Sequence, residues 1–275
     1  MTAQPELHLY NISHGVTAFS TTRHGGASHG NYGEFNINEY CGDNPECVAA
    51  NRKALADALG IDPRRIIMPH QTHGVEVRQI AEDFLALPDS VRRMILDGVD
   101  AVMTNVKGVC VGVSTADCIP VILYDEEHGA VCAVHAGWRG TLAQIALKAV
   151  MEMRLAYHTD AAKLRAVIGP GISLDAFEVG NEVYEEFQNA GFLMESISRQ
   201  MPAMHPGDAS EPPLKWHIDL KECNRQQLSQ AGLKAECIHV ADICTYSDSD
   251  NYFSARRLGA ESGRIYTAAL LNPQK

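Results

Sequence analysis

The chain has 275 residues, 45% hydrophobic and 21% charged, the composition of a globular protein rather than of a disordered, collagen-like or coiled-coil chain. With 23 Lys+Arg against 34 Asp+Glu the formal net charge is −11, which argues against nucleic-acid binding, since that requires a clustered basic patch. No apolar run approaches the roughly 20 residues of a membrane span, and residues 1–10 lack a basic segment followed by an apolar one, so a soluble cytoplasmic protein without a membrane partner is expected.

Along the chain, the glycine-rich stretch His24-Gly-Gly-Ala-Ser-His-Gly-Asn-Tyr-Gly is an irregular loop without the lysine of a phosphate-binding P-loop. A helix is expected over 45–59, a strand over 75–80 and a short helix over 90–96. Strands follow at 108–114, 119–124 and 130–135, rich in β-branched residues. The helix over 141–156 has the clearest period, with Leu142, Ile145, Ala146, Ala149, Val150 and Met153 on one stripe. Then come a strand at 166–168 and a helix over 179–190 closed by Gly191. Residues 198–214 hold four prolines and little periodicity, and read as a surface excursion within one domain. A helix over 221–231 closed by Gly232 and strands at 237–240 and 263–270 complete the chain. Strands and helices interleave without a strict βαβ rhythm, which predicts an α+β fold of mixed α/β layers, a single domain over 1–275 with mixed sheets flanked by helices.

Eight cysteines in a long chain, several inside apolar runs such as Gly108-Val-Cys-Val-Gly, read as small buried hydrophobes rather than a disulfide framework. The exceptions concern three segments where reactive residues meet the ends of apolar strands: Met68-Pro-His-Gln-Thr-His-Gly-Val, Val113-Ser-Thr-Ala-Asp-Cys-Ile-Pro and Val131-Cys-Ala-Val-His-Ala-Gly-Trp-Arg-Gly. From them His73, Cys118 and His135 could converge on a metal. Two imidazoles and a thiolate suit zinc with an open fourth position. The same set can hold copper in a trigonal site, although the chain has no His-x-His pair of the kind that multicopper centres use.

His70-Gln-Thr-His-Gly, Thr115-Ala-Asp-Cys-Ile-Pro-Val, His135-Ala-Gly-Trp-Arg-Gly, Val240-Ala-Asp-Ile-Cys-Thr-Tyr-Ser-Asp and Phe253-Ser-Ala-Arg-Arg-Leu-Gly resemble, in order, the multicopper polyphenol oxidase (laccase-domain) family. Phe19-Ser-Thr-Thr-Arg-His-Gly-Gly-Ala-Ser and Phe35-Asn-Ile-Asn match its opening, so the resemblance spans nearly the whole chain. Gly169-Pro-Gly-Ile-Ser and Phe177-Glu-Val-Gly depart from the family's Gly-Pro-Cys-Ile-Gly and Tyr-Glu-Val-Gly, removing a cysteine and a phenol. The resemblance implies zinc on His73, Cys118 and His135. It also implies phosphorolysis of adenosine, inosine, guanosine and methylthioadenosine with inorganic phosphate, together with adenosine deamination. Members have also been described as polyphenol oxidases and as a peptidoglycan editing factor.

Within that framework Asp117 and Glu178 are candidate proton shuttles, with orientation of a ligand imidazole as the other role open to Asp117. Among Arg23, Arg139, Arg256 and Arg257, the first two are assigned to phosphate for their planar forks, and the remainder to salt bridges. Gln71 and Asn36 are candidates for base or ribose. Two rivals use no zinc: a cysteine hydrolase with Cys118 as nucleophile and His135 as base, and a non-catalytic nucleotide sensor. Oligomeric state is not legible.

Overall fold

Fully buried apolar strands dominate the centre of the molecule, whose computed structural model describes residues 4–204 and 213–272. In chain order these residues form β1 (Leu7–Ser13), β2 (Val16–Thr21), α1 (Pro45–Leu59), β3 (Ile66–Ile67), β4 (Val77–Gln79), α2 (Asp89–Ile95) and β5 (Ala101–Thr104). Then follow β6 (Cys110–Thr115), β7 (Ile119–Asp125), β8 (Ala130–Ala136), α3 (Trp138–Leu142), α4 (Ile145–Tyr157), β9 (Arg165–Ile168) and β10 (Glu178–Val179). The last elements are α5 (Asn181–Asn189), α6 (Met194–Ile197), β11 (Ser198–Pro202), β12 (Leu214–Ile218), α7 (Leu220–Gln230), β13 (Ile238–Val240), α8 (Ala255–Leu258) and β14 (Ile265–Leu271).

Two large mixed sheets stack face to face. One has the order β1-β2-β14-β6-β3 and the other β13-β9-β7-β8-β5-β4. The period-2 alternation of side chains explains why β6, β7 and β8 read as continuous apolar runs, because both faces of each are covered. From β8, Val131 and Ala133 pack between the sheets with Val111, Val113, Ala269 and Leu271. Cys132 and Val134 point the other way, onto α4 and α7 through Ile145, Ala149, Met153, Leu220 and Cys223. The outer face of the first sheet, with Phe19, Tyr266 and Ala268, is closed by Leu55 and Ala56 of α1. The mixed α+β architecture expected from the sequence is thus present, and among the described residues no helix is long and apolar enough to cross a membrane.

Several boundaries differ from expectation. α1 runs from Pro45 to Leu59 as expected: Asn44 accepts the Glu46 N–H at 2.8 Å, and Gly60 closes the helix at φ 67°. The expected helix over 141–156 is two helices, because Gln144 adopts a left-handed φ of 60° between α3 and α4. The helix expected over 179–190 begins two residues later, since Glu178 and Val179 pair with His217 and Trp216 of β12. The excursion at 198–214 opens as strand β11, paired antiparallel with β12 from Ser198↔Ile218 to Pro202↔Leu214. It is an edge strand, where proline is tolerated; residues 205–212 lie outside the described residues. β1, β2 and β5 were not expected from the sequence.

Gly112 is fixed by packing rather than by backbone conformation. A Cβ there would lie 2.4 Å from Cζ of Tyr266, a fully buried ring whose hydroxyl donates to the Ile67 carbonyl at 2.8 Å. Gly112→Ala is therefore expected to destabilise the fold by about 1–3 kcal/mol, the usual range for overpacking. A lower urea midpoint at unchanged m-value would show it; an unchanged midpoint would mean that the Tyr266 ring moves freely.

Candidate metal centre

One carboxylate organises the ends of the second sheet. Asp100 is fully buried immediately before β5, and β5 pairs antiparallel with β8 through Ala101↔Val134. Its side chain accepts hydrogen bonds from the backbone N–H of Thr72 (3.3 Å), His73 (2.9 Å) and Gly74 (2.7 Å), and from His135 Nδ1 (2.8 Å). Burial alone would raise the Asp100 carboxyl, but the His135 hydrogen bond and charge, with the N–H groups of Gly74 and Thr72, outweigh it and hold the group below its ordinary range. The carboxylate takes Nδ1 and so leaves Nε2 of His135 as the nitrogen that could ligate a metal. It also holds the 72–74 loop, in which His73 takes a left-handed φ of 63°.

Cys118 enters from the turn between β6 and β7. The donor atoms of His73, Cys118 and His135 all lie within 4.8 Å of one another. A four-coordinate zinc would space them roughly 3.5 Å apart, from its bond lengths and tetrahedral angle. The two imidazoles meet edge-on at 4.9 Å between centroids. His73 is exposed, Cys118 half-buried and His135 buried, so the set is closed behind and open in front, as a site for a reacting ligand must be. Gly137 makes room for it: a Cβ there would lie 2.9 Å from His73 Cδ2 and 3.1 Å from Cys118 Sγ.

The electrostatics suit metal capture. Burial would raise the Cys118 thiol, yet the charge of His135 and hydrogen bonds with His135 and His73 bring it down to about 6. His135 is pushed up to about 9, burial being outweighed by Cys118 and Asp100. The metal-free pair is thus thiolate and imidazolium. Softness of sulfur and borderline nitrogen fit a late first-row divalent ion, and the three side chains could hold one.

The same residues line a cavity of about 330 Å³, within the range of small-molecule sites, about 300–1,000 Å³. Its wall adds Asn38, Tyr40, Cys41, His70, Gln71, Ser114, Thr115, Ala116, Ala255, Ala260 and Arg264. A similar concavity of about 320 Å³ between α1 and α2 offers arginines and apolar groups but no comparable ligand set.

The other candidates from the sequence fare differently. Gln71 reaches the wall, but its amide is spent on Ser114, donating to its carbonyl at 2.8 Å and accepting its N–H at 2.7 Å. Asp117 does not face the cavity. Its oxygens accept the Thr245 hydroxyl (2.7 Å) and the Arg256 N–H (2.6 Å), tying the Cys118 turn to the loop at Thr245 and to the first turn of α8. Glu178 accepts the Met204 N–H at 2.7 Å. Arg139 is exposed on α3, its guanidinium 4.2 Å from the Trp138 ring centroid, and the cavity wall does not include it. Arg23 donates to the carbonyls of Gly33 (2.9 Å) and Ser249 (2.8 Å). Asn36 is fully buried and donates to Asp43 at 2.8 Å. Through these bonds Asp117, Glu178, Arg23 and Asn36 tie segments of the chain together. The sequence reading missed Asp100, Tyr40, His70 and Arg264. For Asp100 the available signal was a carboxylate inside the apolar run Val99-Asp-Ala-Val-Met.

The family model for multi-copper polyphenol oxidoreductase laccase matches residues 17–272. The chain belongs to that family. Within it, the chain is 43% identical to a purine nucleoside phosphorylase of Bacteroides thetaiotaomicron, over 95% of this chain and 92% of that protein. It is 41% identical to adenosine deaminase RL5 of an unknown prokaryotic organism, over 92% and 93%. The solved structure of the Bacillus licheniformis hypothetical protein YfiH matches at TM-score 0.85 and 28% identity, over 98% of this chain and 97% of that one. The laccase-family resemblance and the mixed fold expected from the sequence both agree with these likenesses.

Asp100→Asn keeps the shape but removes the charge that orients His135 and the 72–74 loop. It should weaken divalent-metal affinity by about 10–100-fold, the usual cost of losing an outer-shell partner, as measured by competition with a chromogenic chelator. Because a metal must displace the His135 proton, affinity should rise by about tenfold per pH unit between the two titrations, with one proton released per ion bound. Calorimetry in buffers of different ionisation enthalpy reads that proton directly, and a release of none would contradict the ion pair.

Proposed function

We propose that the chain is a zinc-dependent purine nucleoside enzyme. It cleaves adenosine, inosine, guanosine and methylthioadenosine with inorganic phosphate, giving free base and (methylthio)ribose 1-phosphate, and it deaminates adenosine to inosine. The observation that carries this reading is the His73–Cys118–His135 set in the wall of a nucleoside-sized cavity. It is supported by relatives named phosphorylase and deaminase that align over nearly their whole length.

Bound zinc supplies a Lewis acid and a water acidified toward neutrality. The remaining work belongs to the chain. His73, Cys118 and His135 hold the ion, with Asp100 fixing two of them. The phosphate needs a cation, and Arg264 is the guanidinium in the cavity wall. One of its terminal nitrogens donates to the carbonyls of Ser262 (2.6 Å) and Gly263 (3.0 Å), the other to Ala260 (2.8 Å), which fixes the fork. A copper-dependent polyphenol oxidase would need further histidine clusters, and among the described residues His73–Cys118–His135 is the cluster with metal geometry.

Protein purified without added metal, its metal content quantified, is incubated with adenosine with and without phosphate, and the products are identified by mass. Phosphate-dependent adenine and phosphate-independent inosine are expected; absence of both would leave a binding protein. His73→Ala, Cys118→Ala and His135→Ala should each lose zinc and nearly all turnover while remaining folded, because a three-ligand site cannot spare a donor. Full zinc with lost activity in Cys118→Ala would favour the cysteine-hydrolase mechanism instead.

Arg264→Lys should raise the apparent phosphate KM by about one to two orders of magnitude, since losing a bond to a charged group costs about 1.5–3 kcal/mol. Arg139→Lys, made in parallel, decides between the two arginines: a larger effect there would return phosphate to α3. Deamination should change much less in either variant.

A further inference from the structure

Phosphorolysis of a neutral purine nucleoside leaves the base as an anion unless a proton reaches it as the C1′–N9 bond breaks. The carboxylates expected to shuttle protons are committed elsewhere: Asp117 to Thr245 and Arg256, Glu178 to Met204. Of the other titratable groups in the cavity wall, the Tyr40 phenol is pushed up to about 12, first by burial and then by Glu39. The Cys41 thiol is raised by burial, and Arg264 is a permanent cation. With His73, Cys118 and His135 reserved for the ion, that leaves, among the described residues of the wall, the imidazole of His70.

His70 is built to hold one orientation. Its backbone bridges to Asp97, its N–H donating to the Leu96 carbonyl and its carbonyl accepting the Gly98 N–H, both at 3.0 Å. Its Nδ1 meets Asp97 Oδ1 at 2.7 Å, and its ring stacks on Tyr40 at 4.4 Å and 27°. Both rings line the cavity that contains the His73–Cys118–His135 set. A carboxylate on Nδ1 keeps a proton on that nitrogen, so in the imidazolium form the second proton sits on Nε2, free for a ligand, the arrangement of an oriented acid.

We propose that His70, oriented by Asp97 and Tyr40, is the general acid that protonates the departing purine at N7, an inference that rests on the phosphorolysis reading above. In the step the C1′–N9 bond breaks and its electron pair passes into the purine. The His70 imidazolium gives its Nε2 proton to N7 and becomes neutral, and a phosphate oxygen forms the new bond to C1′. The proton of monohydrogen phosphate returns to His70 through solvent, so a neutral nucleoside and HPO4²⁻ become a neutral base and the sugar 1-phosphate dianion. His70 is the catalytic residue here, and Asp97 a positioning residue.

The test compares guanosine with 7-methylguanosine, whose base already carries a positive charge and departs without a proton. In zinc-replete His70→Gln, phosphorolysis of guanosine should fall by about 10²–10⁴-fold, the range for loss of a positioned acid, while that of 7-methylguanosine falls far less. Asp97→Asn should shift the ratio of the two rates in the same direction by a smaller factor, which a merely structural contact would not do. An equal fall on both substrates, or no fall on guanosine, overturns the role of His70. Wild-type protein that releases base from neither substrate overturns the phosphorolysis reading itself, and the proposal with it.

Discussion

The buried carboxylate of Asp100 is the constraint on which the site depends. An ionised group inside an apolar sheet is tolerated only when its lone pairs are satisfied, and here four N–H donors satisfy it. Three come from the backbone of the 72–74 loop and one from the His135 ring, so a single charge positions two imidazoles that lie far apart in sequence. Because the demand is electrostatic, it persists whether or not an ion is present. The approach of the two imidazoles is thus built into the protein.

Sheet packing provides the rest. β7 and β8 are buried on both faces, so their alternating side chains have no freedom to shift register. His135 continues the face of Val131 and Ala133 and emerges where β8 ends, beside the turn that delivers Cys118. The small residue at 137 then lets α3 start close against the three ligands.

What could be read from the sequence follows the strength of the local signals. α1 was legible because Asn44, Pro45 and Gly60 mark both ends, and β7 and β8 because continuous apolar runs of their length are strands. The convergence of His73, Cys118 and His135 was legible from their type and their place at strand ends. β1 was missed although Leu7-His-Leu-Tyr-Asn-Ile alternates, because the face that is buried carries Tyr10 and Ile12 while Leu9 is 64% exposed. In two places neighbourhood in sequence does not carry over to the cavity wall. Asp117 adjoins Cys118, but a backbone φ of 84° turns it away from the cavity. Arg139 follows His135 closely, yet α3 carries it outward onto Trp138, whereas Arg264 reaches the cavity from the far end of the chain. Pairings over such separations leave no periodic trace.

The spread of the ligands also fixes the order in which the molecule can be assembled. His73 precedes β4, Cys118 lies between β6 and β7, and His135 closes β8, so the three meet only after β4, β5, β7 and β8 have paired. No two of them are close enough in sequence to grip an ion while the chain is unfolded, unlike the short ligand loops of small zinc domains, whose metal is the nucleus of their fold. Closing loops of this length costs entropy before any coordination bond repays it. Any ion that the three side chains hold would therefore enter a receptacle that the sheets have already built.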